Sequence, residues 1–541
     1  MSLKNFFSLI NEFFFTFLNQ CRNLYFRSSI YDKKISKNKN ISLIYKPTLS
    51  ILNCLIKYEK KKIKIEELNQ NDIWNNKNLN DANFKKLHGF YWLFSIDLKS
   101  SSKITQLIIE NWIDKYQRYN SNNWKVNILS KRIIAWISNS KITYDGSNNS
   151  FKQKFDRVIN KQINHLINEI NRSESADDRM LGCTAIVMAG LSYNNYKFLS
   201  YALGLLKKII NTSFDNEYFP KSRNIRQLIF YLKYFVLNRE LLRESLNEIP
   251  EYLDEIIFYL GKSYNLLLSS NKSFLFNGNH ESDLSEFNKY LSLHRYKFNN
   301  DSYEAGGYVL LRNKSCMVCA DIGSSPNKNF SGNYQSGTHS FEFIYKGKKL
   351  ICNSGYFQNY KSKLNLISKF SAAHSTLIID NKSACSFNFN LNKPSLLFSG
   401  IKTYGKKIVN KKNYWSIKSS HNGYLKNYGV LHERTLEFYL ENYKIKGKDK
   451  LIKKKNFKST KFEIRFHMMP NVKLTKTQDN KSILIELENS GWKFYSDHGL
   501  INIETGLYFG NKNVSAENHN ICISGISRNE EQQIEWEFTK I

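Results

Sequence analysis

The apolar residues of this chain change their spacing near residue 290, and this change constrains the fold more than any other feature. Between about residues 50 and 290 the spacing is helical, as in "ITQLIIENWIDKY", where Ile104, Leu107, Ile108 and Trp112 share one face. After about residue 296 the residues alternate, and "FEFIYKGKKLICNSG" predicts a hairpin about Lys346-Gly347. The two periods predict an α+β chain, in which a helical half precedes an antiparallel β half.

Local signals support this division. Ser175 is a plausible N-cap for the apolar run "ADDRMLGCTAIVMAGL", which predicts a buried helix, and Pro250 stands at the start of another helix. Repeated helices of this length indicate a helical bundle or an α/α toroid. In the second half, "GGYVLLRNKSCMVCADIG" predicts two strands that turn at residues 312–314. The β half is predicted to form stacked sheets.

A chain of 541 residues, 41% of them hydrophobic, is expected to bury more than one core. We predict an N-terminal amphipathic and basic segment over 1–45, a helical domain over 46–295 and a β domain over 296–541. The first twenty residues are apolar but interrupted by Asn11 and Glu12. This pattern predicts an amphipathic helix at a domain edge or a membrane surface, with peripheral membrane contact, rather than a signal peptide or a membrane span.

The net charge of +33 predicts an anionic partner, which the charge alone leaves open among nucleic acid, anionic lipid and acidic polysaccharide. The lysines are spread along the whole chain, and no helix-turn-helix, RNA-binding aromatic motif or zinc finger is present. Nucleic acid is therefore not the predicted partner. The lone C-x-x-C, Cys316 and Cys319, lies in a strand-like run and is interpreted as a pair of small buried residues.

The order of eight short motifs carries a resemblance to a known family. These motifs are "LHGFYWL", "FPKSRNIRQL", "FLFNG", "GTHSFEF", "NSGY", "FSAAHSTLIID", "HNGYLKNYGVLHERTLEF" and "RFHMMPNV". Together they resemble the heparinase II/III family of polysaccharide lyases, particularly its alphaproteobacterial branch, over about residues 85–541. The resemblance implies an incomplete α/α toroid followed by an antiparallel β-sandwich, with the sugar chain held between the two.

The activity implied by the resemblance is β-elimination on a uronic acid. A Tyr or His removes the C5 proton, while Asn, His or Arg neutralises the substrate carboxylate. Relatives place a catalytic tyrosine in the loop that here reads "NSGYFQNYKSK", which contains Tyr356 and Tyr360. The spacing back from His374 favours Tyr360. Lys369 occupies the place of a family arginine that could meet a substrate carboxylate.

Family members often hold a structural zinc with His, Asp and His, and the corresponding positions here are Gln335, Asn353 and His374. Because amides bind zinc poorly, we predict no bound metal and a hydrogen-bonded polar cluster instead. Relatives carry an Asn-His pair where this chain has Asp177 and Asp178, which are expected to cap a helix.

The "PKSRN" motif keeps an arginine and an asparagine, and Arg223 is expected either to clamp a carboxylate or to form an interhelix ion pair. His421 precedes a Gly-containing turn and is a candidate binding residue. His339, His432 and His467 are interpreted as packed or sheet-face residues. The predicted catalytic residues are Tyr360, His374, Arg223 and Tyr356, and the predicted substrate-binding residues are Asn224, Gln335, Asn353, Lys369 and His421.

These observations predict a lyase that cleaves an anionic, uronate-containing glycan, such as a glycosaminoglycan or an alginate-like polymer. The alternative is a catalytically altered relative, which binds glycans or takes part in surface-polysaccharide maturation on the same scaffold. The departures at residues 177, 335 and 353 favour this alternative. The resemblance implies the bacterial cell envelope or periplasm, although the sequence shows no clear signal peptide and leaves the cytoplasm open.

Overall fold

A computed structural model describes residues 3–37, 42–56, 73–75, 79–96, 102–268, 273–299, 301–389, 393–455, 459–512, 514–528 and 530–541. The chain divides into two compact units. The first comprises Met1–Thr212 with Phe230–Ile257, and the second comprises Ser213–Ile229 with Phe258–Ile541. The predicted fold class is confirmed, because helices dominate the first half and antiparallel sheets the second. The domain boundaries predicted at residues 45 and 295 stay predictions.

Fifteen α-helices lie in the described part of the chain. They are α1 (Leu3–Arg27), α2 (Ser29–Ile35), α3 (Leu49–Ile56), α4 (Asp81–Gly89), α5 (Ser102–Tyr116), α6 (Val126–Ser138), α7 (Ser140–Thr143), α8 (Asn149–Glu169), α9 (Ala176–Ser192), α10 (Tyr196–Ser213), α11 (Ile225–Glu244), α12 (Glu251–Leu268), α13 (Ser285–Leu293), α14 (Lys363–Lys369) and α15 (Leu425–Tyr428).

The predicted helix signals are confirmed locally. The Ser175 side chain caps α9 by accepting a hydrogen bond from the Asp178 N–H at 3.2 Å. From Met180 to Ser192 every residue of α9 is buried, as its apolar composition predicted. Pro250 immediately precedes α12. The helical unit is therefore built by local capping and by burial of apolar faces, which are the properties that a sequence displays most directly.

The described part of the chain contains nineteen β-strands after α13, and neighbouring strands pair antiparallel. They are β1 (Glu304–Ala305), β2 (Tyr308–Arg312), β3 (Cys316–Asp321), β4 (Phe341–Tyr345), β5 (Lys348–Ile351), β6 (Leu377–Ile379), β7 (Ser386–Asn388), β8 (Leu396–Ser399), β9 (Thr403–Lys411), β10 (Tyr414–His421), β11 (Val430–Tyr439), β12 (Lys444–Lys453), β13 (Lys461–His467), β14 (Lys473–Lys476), β15 (Ser482–Leu487), β16 (Ser490–Ser496), β17 (Leu500–Tyr508), β18 (Ala516–Ile526) and β19 (Gln532–Lys540).

The described strands form sheets of five, eight, four and two strands. The five-stranded sheet has the order β1-β2-β3-β4-β5, and the eight-stranded sheet has the order β14-β15-β16-β19-β12-β11-β10-β9. The four-stranded sheet is ordered β17-β18-β13-β6, and β7 pairs with β8. The predicted hairpins are confirmed, since β2 turns into β3 and β4 turns into β5 at Lys346 and Gly347, both of which have positive φ. Cys316 and Cys319 are buried in β3, as interpreted.

Trp536 of β19 lies where three sheets meet. Its ring stacks on Phe341 of β4 at 5.9 Å between centroids and meets Phe466 of β13 edge-on at 4.5 Å. Its indole N–H donates to the buried Asp449 carboxylate at 2.8 Å. Gly447 lies directly opposite Trp536 in the register of β12 and β19, and the absence of a side chain there leaves room for the indole.

The solvent-side residues of β11, β12 and β19 form what we term the Lys–Glu rows. Lys446 of β12 lies opposite Glu437 of β11 on one side and Glu537 of β19 on the other. Lys444 pairs with Glu537 at 2.6 Å, and Lys450 pairs with Glu531 at 2.9 Å. Opposite charges facing each other across strands stabilise the sheet modestly.

We expect Gly447→Ala to destabilise the protein by about 1–3 kcal/mol, the range for overpacking a core. An added Cβ would be 2.0 Å from the Trp536 ring, which is held on three sides and cannot retreat. Gly204→Ala is the control, because no atom lies within 4 Å of a Cβ at this position in α10. Denaturant unfolding should show a loss for the first variant and no loss for the second. Equal stability of both variants would contradict the packing described.

Candidate functional site

Gln335 connects three backbone segments of the second unit. Its Oε1 accepts a hydrogen bond from the Gly278 N–H at 3.0 Å, and its Nε2 donates to the carbonyls of Ser368 at 2.6 Å and Gly355 at 2.9 Å. The residue is fully buried. Every polar atom of this amide is therefore engaged in holding the backbone, and none of these bonds joins Gln335 to Asn353 or His374.

Asn353 has a similar arrangement. Its Oδ1 accepts from the Ser375 N–H at 2.9 Å, and its backbone N–H donates to Glu342 Oε1 at 3.0 Å. Glu342 is itself buried and forms an ion pair with Lys349 at 2.9 Å. The side chain of Asn353 thus fixes the backbone at Ser375, the residue after His374.

His374 is 1% exposed, and neither of its ring nitrogens has a hydrogen-bond partner in the described structure. Burial, with a smaller effect from His467, lowers the pKa of His374 to about 3, so the ring is neutral near pH 7. The ring lies against Gly337, where a Cβ would be 2.9 Å from its Nδ1.

The three positions that correspond to the family's zinc ligands do not fit a zinc ion. The amides of Gln335 and Asn353 are occupied by backbone groups, and an amide is a weak ligand for zinc. His374 alone has nitrogens available. We therefore derive no step of the chemistry from a metal at these positions.

Arg223 is held within the second unit by a buried carboxylate. Its Nη2 lies 2.6 Å from Asp321 Oδ1, and its Nε donates to the Gly306 carbonyl at 2.8 Å. The residue has a φ of 57° and is 8% exposed. The predicted ion pair is thus present, but its partner lies at the end of β3 and not on another helix. A substrate carboxylate would have to compete with Asp321 for this guanidinium.

Asn224 and Asn333 both lie against Gly278. A Cβ at Gly278 would be 2.7 Å from Asn224 Nδ2 and 3.0 Å from Asn333 Cβ, so a glycine is required at this approach. The Oδ1 of Asn224 accepts from the Arg226 N–H at 2.8 Å at the start of α11. Asn333 is exposed, and its amide faces Tyr356.

The two candidate tyrosines have different environments. Tyr356 is 3% exposed, and its hydroxyl donates to Asn333 Oδ1 at 3.1 Å. Burial raises the pKa of Tyr356 to about 12, although a hydrogen bond with Asn365 and the charge of Arg226 act in the opposite direction. Tyr360, four residues later, is 38% exposed. Tyr356 is therefore protonated near pH 7, and Tyr360 is the tyrosine that solvent reaches.

Lys369, at the end of α14, is fully buried. Its ammonium group donates to the carbonyls of Gly332 at 2.6 Å and Ser395 at 2.7 Å. Burial lowers the pKa of Lys369 to about 7. The side chain holds the segment that presents Asn333, and its role in binding substrate stays a prediction.

His421 lies in a second cluster. It is the last residue of β10, directly before the turn that contains Gly423, as predicted, but it is 1% exposed and contacts His432 and His339. Its role in binding substrate stays a prediction. Within the described residues, no hydrogen bond joins Tyr360 to His374 or Arg223. His339 is buried, as predicted. It lies before the start of β4 and has a left-handed backbone conformation, with a φ of 70°.

Sequence reasoning did not identify Asp321, Asn333 or Arg226. Asp321 is an acidic residue at the end of the apolar strand β3, a position that signals a buried partner for a cation. Asn333 carried no signal of its own. The charge of Arg226 contributes to the pKa of both Tyr356 and His280, so this cation lies near both rings.

The arrangement of a helical region followed by antiparallel sheets is shared with solved structures. A heparan sulfate lyase HepC mutant from Pedobacter heparinus shares the fold with a TM-score of 0.68 and 12% identity, covering 94% of this chain and 87% of that one. Heparinase III shares it with a TM-score of 0.67 and 14% identity, covering 98% and 91%.

The family description "Heparinase II/III-like, C-terminal" matches residues 297–537. Residues 297–537 are therefore similar to the heparinase II/III-like C-terminal domain, in the part of the chain that contains five of the eight motifs. No curated protein sequence matches this chain at a significant level. At identities of 12–14% the solved structures show a common fold.

We expect Asp321→Asn to destabilise the second unit by about 3–5 kcal/mol, the cost of leaving a buried charge without its partner. The substitution keeps the size of the side chain but removes the charge that balances Arg223. Glu488→Gln is the matched control, because its ion pair with Lys348 is about half exposed and should contribute at most about 1 kcal/mol. Thermal unfolding of both variants tests this, and equal losses would refute a special role for Asp321.

Proposed function

We propose that this protein is a polysaccharide lyase that cleaves an anionic, uronate-containing glycan by β-elimination. The fold shared with a heparan sulfate lyase and heparinase III supports a heparan sulfate-type polymer as the first substrate to test. The observation that carries the proposal is the contrast between the two tyrosines of one family segment. Tyr356 is buried and protonated, whereas Tyr360 is open to solvent.

Tyr360 is the proposed base. In the elimination, the ionised phenol takes the proton from C5 of the uronate and the electron pair forms a C4=C5 double bond. The C4–O4 bond breaks as the phenol of Tyr360 gives this proton to O4. A phenol acts as a base only when cations favour its ionised form. Lys361 and Lys363 follow Tyr360 in the chain, are exposed, and would attract an anionic polymer to this segment.

Neutral amides and one cation are the proposed partners of the substrate carboxylate. Asn333 is exposed, and Asn224 lies against the same glycine, so both amides belong to one small region of the second unit. Arg226 is the cation whose charge acts on Tyr356. Hydrogen bonds to a developing enolate are the largest contribution that such a site makes to catalysis.

The remaining predicted residues are proposed to position this region. Gln335, Asn353 and Lys369 hold the backbone through buried hydrogen bonds, and Arg223 does so through Asp321. A displacement of about 1 Å in the reacting groups is enough to lower a rate by a factor of about a hundred. These residues therefore affect turnover without touching the reacting atoms. The neutral ring of His374 packs against Gly337 and supports this backbone segment.

Tyr360→Phe should lower kcat by about 10²–10⁴, the usual contribution of general acid–base catalysis. Tyr495→Phe is the matched control, because Tyr495 is 37% exposed and lies on β16. Formation of the unsaturated uronate is followed by its ultraviolet absorbance over a panel of polymers that includes heparan sulfate, with circular dichroism to confirm folding. Turnover retained by Tyr360→Phe would remove this residue from the mechanism.

A second candidate function is glycan binding without cleavage, in surface-polysaccharide maturation. The amides at positions 335 and 353, where the family resemblance implies zinc ligands, favour it. The same panel separates the two functions. Retention of a polymer in affinity electrophoresis, with no unsaturated product from any polymer, would favour the binding protein. The cell envelope is the compartment that we propose, because the family resemblance implies it.

A further inference from the structure

Three buried histidines meet between two sheets of the second unit. His339 precedes β4, His421 ends β10, and His432 lies directly opposite His421 on β11. The Nδ1 of His432 is 3.4 Å from His339 Nδ1 and 3.1 Å from His421 Nε2. One nitrogen from each ring lies within 4.8 Å of the other two. We refer to these residues as the three-histidine cluster.

The separations in the three-histidine cluster match those of metal ligands. A tetrahedral zinc ion with Zn–N bonds of about 2.0–2.1 Å places its nitrogen ligands about 3.3 Å apart. The separations of 3.1 and 3.4 Å require little movement to admit the ion. All three residues are at most 2% exposed, which is the setting of a structural site and not of a catalytic one.

In two of the rings, the nitrogen that faces away from the cluster (the outer nitrogen) forms a hydrogen bond, as the non-ligating nitrogen of a metal-bound histidine does. His432 Nε2 lies 2.6 Å from Asp449 Oδ1, and His339 Nε2 lies 2.8 Å from Ser419 Oγ. A carboxylate or hydroxyl on the outer nitrogen orients the ring and keeps the inner nitrogen free for a metal. The charge of the Asp449 carboxylate is balanced by Arg434, whose Nε lies 2.7 Å from Oδ1.

Hydrogen bonding among the rings is the competing description. The Nδ1 of His421 accepts from the Gly423 N–H at 3.1 Å, which places a proton on its Nε2 and lets that proton reach His432. A metal on Nε2 would move this proton to Nδ1, and the Gly423 contact would be lost. The two descriptions therefore differ in metal content and in the protonation of a single ring.

We propose that His339, His421 and His432 bind one divalent transition-metal ion, with zinc as the best match, inside the β-sheet region. The site is separate from Gln335, Asn353 and His374, the positions at which the family resemblance placed a zinc. Its role is to fix His339, which has a left-handed backbone conformation, to the eight-stranded sheet. The proposal does not depend on lyase activity.

Metal analysis of tag-free protein, expressed with zinc in the medium, tests this proposal. We expect one zinc per chain and an X-ray absorption spectrum with imidazole nitrogens at about 2.0–2.1 Å. His339→Asn should abolish this metal, because asparagine tolerates a left-handed conformation but offers no imidazole. The control His498→Asn changes an exposed histidine of the same unit and should retain it.

Protein without zinc, or a spectrum without imidazole, would overturn the proposal in favour of the hydrogen-bonded cluster. Zinc retained by a folded His339→Asn variant would also overturn it. If that variant does not fold, the absorption spectrum of the unaltered chain decides the question. Replacement of zinc by cobalt gives a second readout, since a tetrahedral cobalt site absorbs strongly in the visible range and should do so only with the intact cluster.

Helix α1 supports a second, independent inference, because it presents an apolar stripe to solvent. Its residues are related by steps of about 100°, which brings positions 13, 17 and 24 to one face and 14, 18 and 25 beside it. The exposed fractions are 77% for Phe13, 56% for Phe14, 52% for Phe17, 45% for Leu18, 67% for Leu24 and 42% for Tyr25. A contiguous apolar surface of this kind indicates a partner.

The other face of α1 is attached to the helical unit. Phe26 is 7% exposed, Asn23 accepts from the Tyr119 hydroxyl at 2.8 Å, and Arg22 forms an ion pair with Glu169. The stripe is therefore held outward by a helix that is fixed on its opposite side. Exposed cations continue from the stripe along the chain, at Arg27, Lys33, Lys34 and Lys37.

We infer that the α1 stripe binds an anionic membrane surface. An apolar face beside exposed cations matches the acyl chains and the headgroups of such a surface. The acidic residue among these cations, Asp32, is paired with Lys161 at 2.8 Å and does not oppose the interaction. In the described residues, no helix is both long and apolar enough to cross a bilayer, so the contact is peripheral.

Flotation with lipid vesicles tests this inference. The protein should float with phosphatidylcholine vesicles that contain phosphatidylglycerol, bind less at high salt, and remain unbound by phosphatidylcholine alone. Phe13→Ser with Phe17→Ser should abolish flotation, whereas Phe398→Ser, which changes a phenylalanine 72% exposed in the other unit, should not. Flotation by the double variant would overturn the inference. So would a dimer of the intact chain that dissociates in the double variant, because the stripe would then bind a second copy.

Discussion

The buried carboxylate of Asp449 is the charge around which the β-sheet region is assembled. Arg434 approaches it with Nε at 2.7 Å and Nη2 at 2.9 Å, while His432 and Trp536 donate from neighbouring strands. Although burial acts in the opposite direction, these partners keep the pKa of Asp449 below its usual value. The Nη1 of Arg434 then reaches the carbonyls of His339 and Ser375, which ties the loop before β4 and the segment before β6 to the eight-stranded sheet. An unpaired charge at any of these positions would be costly, so the set must form together.

Asp321 imposes the same constraint nearer the candidate site. It holds Arg223 in a left-handed conformation and accepts from Asn277, while its backbone carbonyl accepts from the His339 N–H. The buried cations described here thus bind backbone carbonyls and carboxylates of the protein itself. Under the proposed function, chemistry on an anionic polymer would be left to groups at the surface, to Tyr360 and to the amides near Gly278. The residues that determine stability would then differ from those that contact the glycan.

The periods of the sequence predicted the helices and strands because burial follows spacing along a single element. The turn at Lys346 and Gly347 was predictable from its glycine, which adopts a positive φ without steric cost. The partner of Arg223 was not, because Asp321 lies 98 residues away and no local pattern connects them. The burial of Lys369 and of Tyr356 depends on tertiary packing, which no local pattern displays. Lysine in particular is usually exposed. Family position pointed to His374, but only the structure shows that its nitrogens are without hydrogen bonds.

The Lys–Glu rows have a consequence for how the protein meets a polyanion. Lys444 and Lys450 pair with glutamates and Lys446 lies between two, so part of the positive charge of this face is already balanced. A polymer that approached this face would release fewer ions into solution, and the entropy of that release drives much polyanion binding. The net charge of +33 therefore overstates the attraction of the sheet surface. If the protein binds a glycan polyanion, the slope of log affinity against log salt concentration would give the number of cations on other faces that the polymer contacts.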